Sequence, residues 1–230
     1  MVSAGDRSGA TSAVSENWRT NRRLAAMWDR GVKSRPVALV YGALVFATDN
    51  RRMYRHMDAV AEAADGSAIL DVPSGGGVVL RALRPGRNLR YVACDISALM
   101  LDRARAEASG LGLDYVEYEE ADATRLPFGD GEFDVVVSYS GLHCLPDPGA
   151  AVREWARVLR PGGTVRGSVV VRGAAFLPDR FIDLWVRMRI LDVVTPVDGV
   201  LRWFGDAGLR TVRVHRSGAI LYFELEKDRA

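Results

Sequence analysis

The sequence is short of the residues from which metal centres, disulfide frameworks and membrane spans are built. Its 230 residues include two cysteines, Cys94 and Cys144, and three histidines. The cysteines have no metal-ligand spacing and make no disulfide framework, so no metal site is expected. Cys94 lies in an apolar run and reads as a small core residue. A reducing cytoplasm fits this usage. The longest apolar run, Val37 to Ala47, is far below the roughly 20 residues that cross a bilayer. The first residues are small and polar rather than basic and then apolar, so no secretory leader is read. Charge of one sign is also lacking: 31 basic against 29 acidic residues leave +2. That balance speaks against nucleic acid as a partner. Arg19, Arg22, Arg23, Arg30 and Arg35 give the N-terminal segment a basic face, which reads as solvated helix surface.

What is present suits one soluble domain. Hydrophobic residues make up 48% and charged residues 26%, ordinary for a globular protein. No internal repeat and no interdomain linker is visible. Residues 1–14 are rich in Ser, Gly, Ala and Thr and read as a disordered tail. Residues 15–230 read as a single domain. It begins with two helices, residues 15–64: one from Ser15 to Gly31, and one from Pro36 to about Ala64. The stretch Val37 to Phe46 is apolar nearly all round, as in a helix buried on most sides or covering a ligand.

The centre of the chain is Ile69-Leu-Asp-Val-Pro-Ser-Gly-Gly-Gly-Val-Val-Leu80. An apolar strand passes Asp71, breaks at Pro73-Ser74-Gly75-Gly76-Gly77, and leads into a short helix to about Leu83. Backbone without side chains lets a ligand approach closely. A helix start there would suit an anionic group. A dinucleotide fingerprint would need a third glycine, where Leu80 stands. Further strands are expected at Leu89–Asp95, Leu113–Glu119, Phe133–Ser138 and Thr164–Val171, with helices between them. Such alternation predicts a parallel sheet covered on both faces. The runs Thr211–Arg216 and Ala219–Glu226, split by Ser217-Gly218, predict a closing β-hairpin and one antiparallel strand. Three acids fall at or just past strand ends, where open α/β sheets bind ligands: Asp71, Asp95 and Asp122. Asp95 stands about 20 residues past the glycine turn, the usual place for a carboxylate that accepts from ribose hydroxyls. Each acid alone could equally be a loop residue or a helix cap.

Four ordered blocks make a resemblance specific. They are Ile69 to Gly77; Tyr91 to Met100, with Val-Ala-Cys-Asp-Ile-Ser-x-x-Met-Leu; Glu120 to Ser138, with Ala-Asp-Ala-Thr-x-Leu-Pro-Phe-x-Asp-Gly-x-Phe-Asp-Val-Val; and Leu142 to Val165, with Leu-His-x-Leu-x-Asp-Pro and Arg-Val-Leu-Arg-Pro-Gly-Gly. The chain resembles class I S-adenosylmethionine-dependent methyltransferases, and within them the quinone-biosynthesis branch. The resemblance implies a Rossmann-like, doubly wound, mostly parallel seven-stranded sheet ending in an antiparallel hairpin, with an N-terminal helical cover. It implies S-adenosylmethionine as cofactor, with S-adenosylhomocysteine as product.

Residue by residue, it implies that Pro73, Ser74, Gly75, Gly76 and Gly77, with Asp71 behind them, hold the methionine moiety. Asp95 would bind the ribose, and Ile96 and Met100 would border the adenosine. Asp122 would take the adenine amino group, with Ala123 giving a backbone contact. Ser138 and Tyr139 would lie beside the sulfonium. Pro73 replaces the family's usual glycine, removing an N–H donor and fixing φ.

For the chemistry, His143 is the candidate catalytic residue, as a base near the sulfonium; packing in a loop is its alternative. His56 and His215 read as surface or helix-face residues. The N-terminal helices and residues 172–195 are expected to cover the acceptor. Tyr41, Phe46, Phe176, Phe181, Trp185 and Met188 are the candidate substrate residues; core packing or a subunit contact would also account for them. The scarcity of charge among them implies a small, fairly apolar acceptor and leaves monomer and homodimer both open. The competing expectations are a cofactor-binding protein that lacks methyl transfer or serves another reaction, and a nicotinamide-dependent oxidoreductase.

Overall fold

A computed structural model describes residues 12–229. Most of the expected disordered tail, residues 1–11, lies outside the described residues. Ala13 and Val14 already belong to a helix. In chain order the elements are α1 (Ala13–Thr20), α2 (Arg22–Lys33), α3 (Arg35–Phe46), α4 (Arg51–Asp58), β1 (Ala68–Asp71), β2 (Arg90–Asp95), α5 (Ala98–Leu111), β3 (Val116–Glu120), β4 (Phe133–Tyr139), α6 (Pro148–Val158), β5 (Leu159–Val170), α7 (Phe176–Arg187), α8 (Val197–Asp206), β6 (Leu209–Ser217) and β7 (Ile220–Lys227).

The strands form one seven-stranded sheet in the order β3-β2-β1-β4-β5-β7-β6. Five strands pair in parallel, β3 through β5. β7 runs antiparallel to both of its neighbours, so it alone is reversed, as the hairpin signal predicts. From β1 the chain winds outward through β2 and β3, then returns to lay β4 on the other side of β1. The crevice at the carboxyl ends of β1 and β4 is therefore the topological switch point, where such sheets bind ligands.

Alternation along the strands sends side chains to two cores. Leu70, Val136 and Phe223 face a layer built on Trp155 of α6 and Phe204 of α8. Ile69, Val137 and Tyr222 face the layer of α4, α5 and the cover helices. Each such fully buried side chain is worth about 1.5–3 kcal/mol over exposure.

The N-terminal cover has four helices where the sequence predicts two. Ser12, not Ser15, caps α1, its hydroxyl accepting from the Ser15 N–H at 3.1 Å. Asn21 interrupts the first helix and caps α2 through the Leu24 N–H. Ala47, at φ 53°, ends α3. Short polar side chains compete for backbone groups, and a left-handed residue reverses the chain; neither shows in hydrophobic periodicity. The hairpin tip holds this corner, with the Ala219 N–H donating to the Phe46 carbonyl at 2.8 Å.

Candidate functional site

The glycine turn follows β1 directly. Gly77, at φ 81°, has a conformation that L side chains avoid, and a Cβ there would lie 3.2 Å from the Ala104 backbone of α5. Gly76 is small for a different reason: a Cβ on it would run into Asp29 Oδ1. The carboxylate of α2 thus rests on the turn, held by Lys33 at 2.9 Å and Arg103 at 3.3 Å.

Behind the turn there is no α-helix. Residues Val79–Ala82 make a single 3-10 turn, where a helix to about Leu83 is expected. Two β-branched residues, Val78 and Val79, and the Arg84-Pro85 break leave too little favourable chain for a longer one. No helix dipole therefore points at the turn. The polar character of this end comes from the turn's backbone and from Asp95.

Asp95 ends β2 with its carboxylate buried. Its Oδ2 accepts from the Gly75 N–H at 2.8 Å, and its Oδ1 from the Ser97 N–H at 2.9 Å. A carboxylate has about four acceptor sites, so capacity remains for a ligand. Burial raises its pKa to about 6 against the pull of the backbone donors Ser97, Gly75 and Ile96. Asp71 lies deeper, with the Tyr91 hydroxyl donating to it at 2.7 Å. Burial raises its pKa to about 7, Tyr91 opposing.

A cavity of about 480 Å³ opens beside the turn, within the roughly 300–1,000 Å³ typical of small-molecule sites. Of the residues expected at the cofactor, Pro73, Ser74, Gly75, Gly76, Asp95, Ile96, Met100 and Tyr139 line it. Asp71 and Gly77 stand behind them and do not line it. Asp122 is exposed in the loop after β3, where its Oδ1 accepts from the Thr124 N–H and hydroxyl at 2.8 Å. Ala123 beside it is buried, and neither residue borders the cavity. Ser138 is wholly buried inside the sheet, its hydroxyl unpartnered among the described residues.

The far end of the cavity is aromatic and apolar. Tyr41, Phe46, Trp185 and Met188 line it, whereas Phe176 and Phe181 point to solvent on the outer side of α7. Tyr41 stacks on Trp185 at 5.6 Å, and Trp28 meets both rings edge to face. The Tyr41 hydroxyl has no hydrogen-bond partner among the described residues. Trp18, Trp28, Met53, Met57 and Tyr222 complete this end. The spacing Met53–Met57 on one helix face was the available signal for α4.

His143 does not stand at the cavity. It is buried below it, and its Nδ1 accepts from the Val170 N–H at 3.1 Å. Burial lowers its pKa to about 3, so the ring is neutral. His56, read from sequence as a helix-face residue, is the histidine tied to the site. Its Nδ1 lies 2.7 Å from the Tyr139 hydroxyl, which in turn donates to the His56 carbonyl at 2.9 Å. Its Nε2 lies 3.6 Å from Glu224. Burial lowers the His56 pKa, with Glu224 opposing. No motif signals this link, because α4, β4 and β7 meet only in the fold.

Residues 70–166 match the family model described as a methyltransferase domain. The chain is 41% identical over 107 residues to a demethylmenaquinone methyltransferase of Clavibacter sepedonicus, covering 46% of this chain and 42% of that protein. The quinone-branch resemblance read from the four blocks therefore holds. The chain spans about two fifths to one half of the length of the curated relatives it matches. In fold it is similar to a SAM-dependent methyltransferase from Aquifex aeolicus, with TM-score 0.58, 21% identity, and coverage of 80% of this chain and 92% of the other. It is similar also to the [4+2]-cyclase SpnF, with TM-score 0.66, 19% identity, and coverage of 91% and 96%.

Proposed function

We propose that the protein transfers a methyl group from S-adenosylmethionine to a small, fairly apolar acceptor, mainly by binding and alignment. The observation that carries this reading is the two-ended cavity: glycine turn and Asp95 at one end, Tyr41, Trp185 and the methionines at the other.

The donor set suits the cofactor. Asp95 lines the cavity with acceptor capacity left over, which suits ribose hydroxyls. Ile96 and Met100 offer apolar walls to the adenosine. The turn Pro73–Gly76 has no bulky side chain to exclude the amino-acid end. Asp122 and Ala123, past β3, would meet the adenine if it extends in that direction. Ser138 lies too deep to touch a ligand and would act through the backbone of β4. The cofactor, when bound, supplies an electrophilic methyl group.

The chain's own task is then threefold. It orients the acceptor in line with that methyl, which can supply much of the acceleration. The cover helices keep water away from the reacting atoms. Tyr41 and Tyr222 provide hydrogen-bonding hydroxyls in a mostly apolar wall, suited to a phenol, enol or carbonyl oxygen. If a proton has to leave, the pair of His56 with the cavity-lining Tyr139 is the candidate to take it, rather than His143.

One observation favours a second reading, cofactor binding put to another reaction. Among the described residues no carboxylate, histidine, lysine or arginine other than Asp29 and Asp95 lines the cavity, and the cyclase SpnF has a similar fold. Calorimetric titration tests the cofactor first: S-adenosylhomocysteine should bind and NAD should not. Transfer of labelled methyl groups to an aromatic or enolic acceptor then separates the two readings. Binding without transfer would overturn the first.

A further inference from the structure

The large apolar side chains exposed on the described surface are gathered in one place. Of eleven, eight lie on α2, α3 and α7, and Met188 follows α7 directly; only Val212 and Val214 of β6 lie elsewhere. They fall in helical stripes. On α3 the stripe is Val37, Val40 and Leu44; on α7 it is Leu177, Phe181 and Leu184, continued by Met188 at its C-cap. The two helices meet through the stacked Tyr41 and Trp185, so the stripes flank one seam. Met27, Val37 and Met188 are exposed and also line the cavity. The apolar surface is therefore continuous with the cavity mouth. A contiguous patch of this kind marks an interaction site rather than scattered surface hydrophobes.

The unpaired charge around the patch is mostly basic. Arg30 of α2, Arg180 and Arg187 of α7, and Arg189 just beyond are exposed. Among the described residues none of the four makes an ion pair, while the nearby acids are engaged. Asp183 pairs with Arg172 at 2.7 Å, Asp179 accepts from the Gly173 N–H, and Asp29 is held by Lys33 and Arg103. A second copy of the chain would bring like charges together across a two-fold axis and seal both mouths. An anionic surface that is itself apolar within meets both features.

We propose that this face docks on the surface of an anionic phospholipid bilayer, with the stripes of α3 and α7 entering the acyl boundary and the arginines on lipid phosphates. The cavity mouth then opens to the lipid, and an apolar acceptor enters without crossing water. That delivery role rests on the methyl-transfer reading; the docking itself does not.

The experiment is co-sedimentation of the full chain with vesicles of phosphatidylcholine containing phosphatidylglycerol, against phosphatidylcholine alone. Binding should require the anionic lipid and weaken with salt. Arg180→Ala with Arg187→Ala should lower partitioning about five-fold per arginine removed. Leu44→Asp with Leu184→Asp should abolish it; both residues are exposed, so these variants keep the fold. S-adenosylhomocysteine affinity, measured alongside, should be unchanged in every variant. Loss of that affinity in the wild type would sink the methyl-transfer reading and leave the docking result standing. No partitioning of the wild type, or partitioning unmoved by Leu184→Asp, would overturn the proposal. So would a dimer in sedimentation velocity that Leu184→Asp dissolves, which would assign the face to a second copy.

Discussion

The two ends of the cavity are built in opposite ways. The turn end is backbone: consecutive residues 73–76, one carboxylate at the end of the neighbouring strand, and hydrogen bonds of 2.8 and 2.9 Å that fix that carboxylate. The cover end is side chains: rings from α1, α2, α3 and α7 meeting mostly edge to face, with the Tyr41 and Tyr222 hydroxyls unpartnered among the described residues. Backbone geometry tolerates little change, so the turn end suits an invariant ligand. Packed side chains can be exchanged at similar volume, so the cover end suits whatever acceptor the protein has come to use. The two ends should therefore fail separately when altered.

The largest expected effect is at the cover. Trp185 touches Trp28, Tyr41 and Phe46. Trp185→Ala should cost about 3 kcal/mol of stability, read by chemical denaturation. Methyl transfer should fall, while S-adenosylhomocysteine affinity changes little. An equal fall in cofactor affinity would show that the two ends are one unit.

Asp95→Ala is the reverse experiment. It leaves ribose hydroxyls and two backbone N–H groups without their acceptor, at about 1–3 kcal/mol. Calorimetry should show cofactor affinity reduced by one to two orders of magnitude in the usual conversion, with the cover's hydrogen exchange unaltered. Unchanged affinity would mean that the ribose is held elsewhere.

This contrast also explains what the sequence discloses. The turn end was legible because its residues are neighbours in the chain: Gly75 and Gly77 need positive φ, and Asp95 sits at a strand end about 20 residues on. The sheet was legible for the same reason, since apolar runs and turns report local periodicity. Gly76 was legible as a glycine but not in its cause, because Asp29 reaches it from a separate helix. The cover was half legible. Tyr41, Phe46, Trp185 and Met188 are on the cavity, yet Phe176 and Phe181, equally aromatic, face outward. Composition names apolar residues but not the helix face that carries them, and α7 is apolar on both. His56 and Tyr139 were separated by a strand order that no local signal contains.

The buried acids give a pH test of the turn end. Asp71 and Asp95 have folded pKa values raised to about 7 and about 6, against an unfolded value of 3.8. The folded state thus holds extra protons between those limits. Stability is fully present below the unfolded value and declines as pH rises through 6 and 7, by at most about 1.4 kcal/mol per unit for each group. Asp71→Asn should flatten the upper part of that slope in denaturation curves. An Asp71→Asn slope no different from that of the wild type would show that this carboxyl is not protonated in the fold.

A smaller effect tests a place where the ends touch. Gly76 has ordinary φ, so Gly76→Ala brings no backbone strain. Its methyl group must still displace the Asp29 carboxylate, and overpacking of this kind costs about 1 kcal/mol or more. Amides of α2 should exchange faster in the variant. Unaltered exchange in α2 would mean that the helix does not bear on the turn.

The smallest effect on rate is expected at His143. With Nδ1 accepting from Val170, the neutral ring carries its proton on Nε2, away from any acceptor among the described residues. A group whose pKa has fallen to about 3 takes protons poorly at neutral pH. His143→Asn can keep an oxygen near Nδ1 for the Val170 N–H, so it separates packing from catalysis better than alanine does. Its kcat should stay well above the roughly 10²–10⁴-fold loss that follows removal of a general base, with an unaltered pH profile from 5 to 8. His56→Gln is the companion variant. If a base is used at all, the ionisation seen in kcat should lie below the usual histidine value, since burial lowers His56, and it should vanish in His56→Gln alone. Loss of that ionisation in His143→Asn instead would return the catalytic role to His143 and require a shift of the loop after β4 to bring it to the cavity.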